Sequence, residues 1–231
     1  MGVREICVGG KNLEIHELDN VCDTLTGRVL TGSWIWDSAL ILSRWIINTT
    51  QSRSQPEFDL TGKTVLELGA GAAGLPGFTA AMLGASRVVL TDIEPLIPGL
   101  SRNVEENNLG HVVHVRKLLW GTDQSLGEFD VVLMSDVFFD PDQMGALANT
   151  LKSACGEHTR IWASTEIRPW TGDCLTALAD QGFGVVELSG PVSMDLTGPC
   201  PEQQCGSFAV FSLVKQSDAG HVPPAFYDIW G

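Results

Sequence analysis

Apolar residues along this chain recur with two different periods. Short runs that are apolar almost throughout, at 64–68, 87–91, 112–118, 129–134 and 160–164, predict strands buried on both faces. Between them, apolar residues fall three and four apart, which predicts helices at 75–84, 98–107, 140–155 and 170–181. Pro76 and Pro141 fall in first turns, where a missing N–H costs little, and Asp140 is placed to cap the helix that Pro141 begins. An earlier amphipathic helix is expected within 31–47, from Ile35, Ala39, Leu42, Trp45 and Ile46. Ahead of it, 5–8 and 13–16 flank Gly9 and Gly10, whose tolerance of positive φ suits a tight hairpin turn; the hairpin is expected to continue to 29–30. Segment 48–59 reads as a polar linker. Segments 182–188 and 207–213 have no strong helix signal between them and read as an antiparallel pair at a sheet edge.

The alternation predicts an α/β fold: a Rossmann-like, doubly wound, seven-stranded sheet preceded by a small N-terminal β-hairpin and helix. A single domain is expected over 1–231, with 1–30 as an N-terminal extension and 218–231 as a tail. In such sheets ligands bind beyond the carboxyl ends of the strands. That rule gathers Gly69 to Gly71, Asp92, Trp120, Ser135 and Asp136 around one crevice, although they are far apart in sequence.

Composition narrows the function classes. Charged residues make up 18% and hydrophobic residues 44%, which suits a folded core rather than a disordered chain. No uncharged apolar stretch reaches the roughly 18 residues a membrane span needs, and residues 1–5 lack the apolar core of a signal peptide. A cytoplasmic location, extending to the nucleus, is the expectation, with no membrane partner. The net charge of −14 repels phosphate backbones, so nucleic acid is not the expected partner, and it favours a basic substrate. The six cysteines show no C-x-x-C pair and the five histidines no ligand spacing, so no metal site is expected. A monomer is expected.

The stretch from Val65 to Asp92 carries the chemistry. A strand breaks into Gly69-Ala70-Gly71-Ala72-Ala73-Gly74, a helix follows, and a second strand ends on Asp92. Small residues at the turn let backbone N–H groups approach a ligand, and an acid at the next strand tip suits ribose hydroxyls. Glu67 stands two residues before the first glycine. A carboxylate there suits the ammonium of a methionine tail and repels the pyrophosphate of a dinucleotide, which favours S-adenosylmethionine (SAM) over NAD. Trp36, near the start of the first long helix and close to Gly32 and Ser33, reads as a lid over that cofactor.

Five segments in order extend the picture: T-G-x-W-I-W-D-S-A at 31–39, L-E-L-G-A-G at 66–71, L-T-D at 90–92, L-x-W-G at 118–121 and S-D-V-F-F at 135–139. Together they resemble methyltransferase family sixteen, a family of class I SAM methyltransferases whose characterised members are largely protein-lysine methyltransferases. The resemblance implies SAM as methyl donor, S-adenosylhomocysteine as product, and a protein lysine side chain as acceptor. It assigns Trp36, Gly69, Ala70, Gly71, Asp92, Trp120 and Ser135 to the cofactor, beside Glu67. Asp136 matches the acid of the family's D-x-x-Y motif, and Phe139 stands where that motif has tyrosine. This pair is expected to form the catalytic end of the site. Phe139 keeps an aromatic wall able to hold an ammonium but lacks the hydroxyl. Glu166 and Arg168 resemble a Glu-x-Arg segment after the fifth strand.

Asp136 is expected to orient the lysine amine and accept its proton or hydrogen bond, with Phe138 or Phe139 walling the channel. The rival readings are a small-molecule N-methyltransferase and a non-catalytic SAM-fold interaction protein. Methylation of nucleic-acid bases is disfavoured, because the run from Asp136 to Phe139 lacks the prolines that stack a flipped base.

Overall fold

The computed structural model describes residues 2–19, 21–23, 26–51, 58–122, 125–192 and 207–215. Five parallel strands form the centre: β3 (Thr64–Leu68), β4 (Arg87–Asp92), β5 (Val113–Lys117), β6 (Phe129–Ser135) and β7 (Cys155–Glu166). With β8 (Phe183–Val192) and β9 (Phe208–Lys215) they make one seven-stranded sheet of order β5-β4-β3-β6-β7-β9-β8, in which β9 runs antiparallel to both neighbours. The expected sheet is therefore present.

Period-two alternation sends side chains of each central strand into two cores. Val65, Val88, Leu90, Val131 and Leu133 pack in one layer with α1 (Asp37–Gln51), α2 (Leu75–Met82) and α3 (Ile97–Glu106). Leu66, Leu68, Val89, Val132 and Met134 face the other, which holds α4 (Met144–Ala154) and α5 (Thr171–Asp180). The order reverses between β3 and β6, so the crevice at that switch point opens beyond the tips of β3, β4, β6 and β7.

Three expectations about element limits change. The first long helix starts at Asp37, six residues later than expected, after a single turn of 3-10 helix at Thr31–Ser33. The carbonyls of Gly32 and Ser33 are already taken, by the amides of Ala72 at 2.7 Å and Leu18 at 2.8 Å. They cannot also serve a helical ladder. The same helix runs on into the expected linker as far as Gln51, with Thr49 and Thr50 turning their hydroxyls onto the carbonyls of Trp45 and Phe58.

The hairpin of β1 (Val3–Val8) and β2 (Lys11–His16) turns at Gly9 and Gly10, with φ of +57° and +80°. Residues 29–30 do not join it. Val29 instead bridges Cys22, because two asparagine side chains occupy the free edge of β2. Asn107 bonds both backbone groups of Glu14, and Asn103 bonds both of His16. An edge strand so covered at Glu14 and His16 has no groups left there for a third strand. The tail expected at 218–231, with Cys200 and Cys205, lies outside the described residues.

Candidate active site

The chain leaves β3 through Gly69 and Gly71, at φ of +69° and +61°, a region L side chains rarely adopt. Space forbids a side chain as well. A Cβ on Gly69 would lie 3.1 Å from Val137 and 3.4 Å from Trp120, and one on Gly71 would lie 2.8 Å from the Gly32 carbonyl. The turn is tied down by the Ala70 amide on Thr91 and the Ala72 amide on Gly32. The Gly71 amide donates to Asp92 Oδ2 at 2.7 Å, and the Ile93 amide donates to Asp92 Oδ1 at the same distance. Burial pushes the Asp92 carboxyl up to about 6, against the lowering effect of those two amides. Each oxygen keeps a lone pair for a hydroxyl donor.

Glu67 occupies a different place from the one expected. Its side chain has no exposed surface, and Oε2 accepts the amide of Gly77 at 2.7 Å, inside the first turn of α2. Oε1 has no protein partner. Burial pushes this carboxyl up to about 8, opposed by the Gly77 amide and reinforced by Asp92. A neutral, sealed acid fastens the helix to the strand beneath the turn; it does not line the crevice as a charged grip. Pro76 supplies no amide, so Glu67 takes the next one available. The alternation of β3 explains the placement, since residue 67 points into the α2 layer together with Val65.

At the tip of β6 the backbone of Asp136 adopts φ of +56°, which only Asn108 shares among described non-glycine residues. Its amide donates to the Ser164 carbonyl, joining it to β7. Both carboxylate oxygens are engaged: Arg168 Nη1 donates to Oδ1 at 3.1 Å and Nη2 to Oδ2 at 3.0 Å, while Thr165 Oγ1 reaches Oδ1 at 3.3 Å. Arg168 also binds Glu166 Oε2 through Nε and Nη2, at 3.1 and 2.8 Å. Burial alone would lower the pKa of this guanidinium; the hydrogen bonds and charges of the two acids more than offset it and raise it. The guanidinium lies 5.3 Å from the centre of the Trp36 ring, and Trp36 Nε1 donates to the Thr31 carbonyl.

The two phenylalanines after Asp136 diverge. Phe138 is fully buried against Phe211, whereas Phe139 is 52% exposed and meets Trp120 at 6.1 Å between ring centres. The wall is Phe139. Trp120 therefore lies between the Gly69 turn and Phe139, and Ser135 pairs with Ser164 where β6 and β7 end. Gly69, Trp120 and Phe139 thus lie side by side, Gly71 is bonded to Asp92, and Asp136 is joined to Trp36 through Arg168, all at the carboxyl ends of the parallel strands.

A family model described as "Lysine methyltransferase" matches residues 17–176. The chain belongs to the lysine methyltransferase family. It is 34% identical over 160 residues to protein N-lysine methyltransferase METTL21A of Danio rerio, covering 67% of this chain and 69% of that one. Against EEF1A lysine methyltransferase 3 of Mus musculus the identity is 31% over 156 residues, covering 66% and 63%. Among solved structures, the T. thermophilus 16S rRNA N2 G1207 methyltransferase RsmC, in complex with AdoMet and guanosine, superposes with a TM-score of 0.60 at 18% identity, covering 94% of this chain and 50% of that one. The magnesium protoporphyrin IX methyltransferase ChlM from Synechocystis PCC 6803, with bound SAH, gives 0.54 at 15%, covering 77% and 83%. Those two likenesses show the shared fold.

Lysine methyltransferases of this family are SAM-dependent enzymes, and the residues present fit that cofactor. Glycines at 69 and 71 let the turn lie tight against Val137, Trp120 and the Gly32 carbonyl with its backbone uncovered by side chains, and Asp92 offers acceptor lone pairs at the strand tip. Arg168 was legible only as part of a resemblance to Glu-x-Arg. Asn103 was missed altogether: besides His16 it bonds the Ala72 carbonyl at 2.7 Å, linking the hairpin to the glycine turn. Its signal was the Asn103–Asn107 pair, four residues apart, the first in the last turn of α3 and the second its C-cap.

Proposed function

We propose that this enzyme transfers a methyl group from SAM to the ε-amine of a lysine in a protein. The observation that carries the reading is the position of Asp136. It adjoins Val137, which packs against the cofactor turn at Gly69, and it lies on the same short segment as the exposed Phe139 wall. The reading is further supported by the names of the relatives, which describe protein lysine as acceptor.

SAM supplies a methyl group already activated by its sulfonium. The protein's own residues then orient and exclude water. The Gly69–Gly71 turn takes the methionine part, Asp92 the ribose hydroxyls, Trp120 the adenine side, and Ser135 a backbone contact. Trp36 covers the cofactor. A lysine amine, with a reference pKa of about 10.4, must arrive neutral or lose its proton at the site. Burial between Phe139 and Trp36 assists that loss, and Asp136 holds the amine in line. The net charge of −14 supports a protein partner with basic character over nucleic acid or an anionic membrane. The reading takes the enzyme as a monomer of the cytosol or nucleus, which gel filtration and cell fractionation test.

The deciding experiment incubates the purified protein with labelled SAM and a lysate of its own cells, then locates the label by mass spectrometry. Recombinant EEF1A is a useful first acceptor, given the relatives' names. Methyl groups on lysine residues of a protein support the reading. Label confined to RNA or to small molecules overturns it.

A further inference from the structure

We propose that Arg168 is a positioning residue for methyl transfer, one that clamps both oxygens of the Asp136 carboxylate and leaves Oδ2 with a free acceptor direction. The inference rests on the protein-lysine reading above and adds to it a residue and a geometry.

A carboxylate has about four lone-pair sites, two on each oxygen. Arg168 takes one on each oxygen, and the second on Oδ1 faces the Thr165 hydroxyl, whose one proton is shared between Oδ1 at 3.3 Å and the Glu166 carbonyl at 3.2 Å. On Oδ2 one lone pair has no protein donor. An incoming amine therefore has Oδ2 as its open place to bond, which fixes its nitrogen and so the line of attack. The arrangement is held from several directions. The Arg168 amide is anchored on Thr171 Oγ1 at the start of α5, its guanidinium spans Asp136 and Glu166, and its face rests near Trp36. Trp36 is in turn fixed through Thr31, next to Gly32, whose carbonyl holds the glycine turn. A planar five-donor fork can make this set of bonds; a lysine cannot.

Charge gives Arg168 a second effect. Asp136 and Glu166 carry two negative charges, and Arg168 reduces the cluster to a net single one. Two uncompensated carboxylates would hold a substrate lysine as its ammonium, which has no lone pair to attack with. Arg168 weakens that hold. The amine can then give its proton to solvent and keep its contact with Oδ2.

The test uses the full-length enzyme, tritiated SAM and the protein acceptor that the wild type labels. In Arg168→Gln, kcat falls by about tenfold or more while the acceptor KM stays level or drops, because the ammonium form binds better and reacts worse. Affinity for S-adenosylhomocysteine, read by calorimetry, changes by less than about twofold. Millimolar ethylguanidinium restores part of the kcat of Arg168→Ala, which a merely structural role would not allow. Arg168→Lys keeps the charge without the fork and also loses kcat at unchanged KM; it serves where the neutral variants fail to fold. Wild-type kcat in Arg168→Lys, or a raised KM with kcat intact in Arg168→Gln, overturns the inference. Absence of lysine labelling by the wild type instead overturns the reading on which it rests.

Discussion

Replacing Glu67 by glutamine probes the acid sealed beneath the glycine turn. In the folded protein this carboxyl holds its proton up to about pH 8, against an ordinary value of 4.5. Between those values the unfolded chain has released the proton and the folded chain has not, so stability falls as pH rises, by about 1.4 kcal/mol per pH unit. Across the whole interval the cost comes to about 5 kcal/mol; relaxation of the ionised group toward water leaves roughly 3 kcal/mol as the smallest effect to expect. Glutamine keeps the shape and the acceptor for the Gly77 amide but cannot ionise. Near pH 5 the two proteins should therefore agree within about 1 kcal/mol, both having a neutral side chain and an unpartnered polar atom. Near pH 9 the variant should be the more stable by about 3 to 5 kcal/mol. Urea unfolding of the ligand-free proteins across this range measures the difference directly. Asp92, also pushed up to about 6, adds a slope of the same sign, but it is present in both proteins. Parallel stability curves would refute the reasoning, as would a wild type that gains on the variant at high pH.

Gly77→Ala should destabilise by about 1 to 3 kcal/mol, although alanine is the better helix former, because its Cβ would fall 2.2 Å from Leu90 and 2.7 Å from Glu67 Oε2. Thermal or urea unfolding checks the sign. Asn103→Ala removes the partners of two His16 backbone groups and of the Ala72 carbonyl. It should cost roughly 2 to 4 kcal/mol and weaken SAM binding by calorimetry, since one of those groups belongs to the glycine turn. Asp136→Ala should retain cofactor affinity within about threefold and lose at least about a hundredfold in kcat, as read by transfer of labelled methyl groups. Undiminished transfer in that variant would remove Asp136 from the reaction.

How much of this was legible in the sequence depended on whether neighbours along the chain or across it decide the outcome. The buried strands announced themselves because residues such as Val131 to Met134 are apolar on both faces. The placement of Asp92 beside the glycines at 69 and 71 was readable because it follows from a local βαβ unit. Glu67 was misplaced for a physical reason. Its position before the turn says that an acid is near the ligand, but only the pleat of β3 decides that it faces α2. The start of α1 was missed because the competing hydrogen-bond donors, Leu18 and Ala72, come from other parts of the chain. The Asp136–Arg168 pair joins residues 32 positions apart, on adjacent strand ends. No local pattern encodes such a pair; the parallel register of β6 and β7 creates it.

The position of β9 has a consequence for how the chain matures. Strand β8 is made before β9 yet touches the sheet only through it, since β9 is inserted between β7 and β8. While a ribosome is still adding residues beyond 192, β7 has one open flank, and Glu166 and Arg168 sit at its unsupported end. On the proposed reading, the acceptor end around Asp136 and Arg168 is therefore completed late in synthesis, after the Gly69–Asp92 end assigned to the nucleoside. A nascent chain stalled before Phe208 should capture SAM well before it can methylate anything.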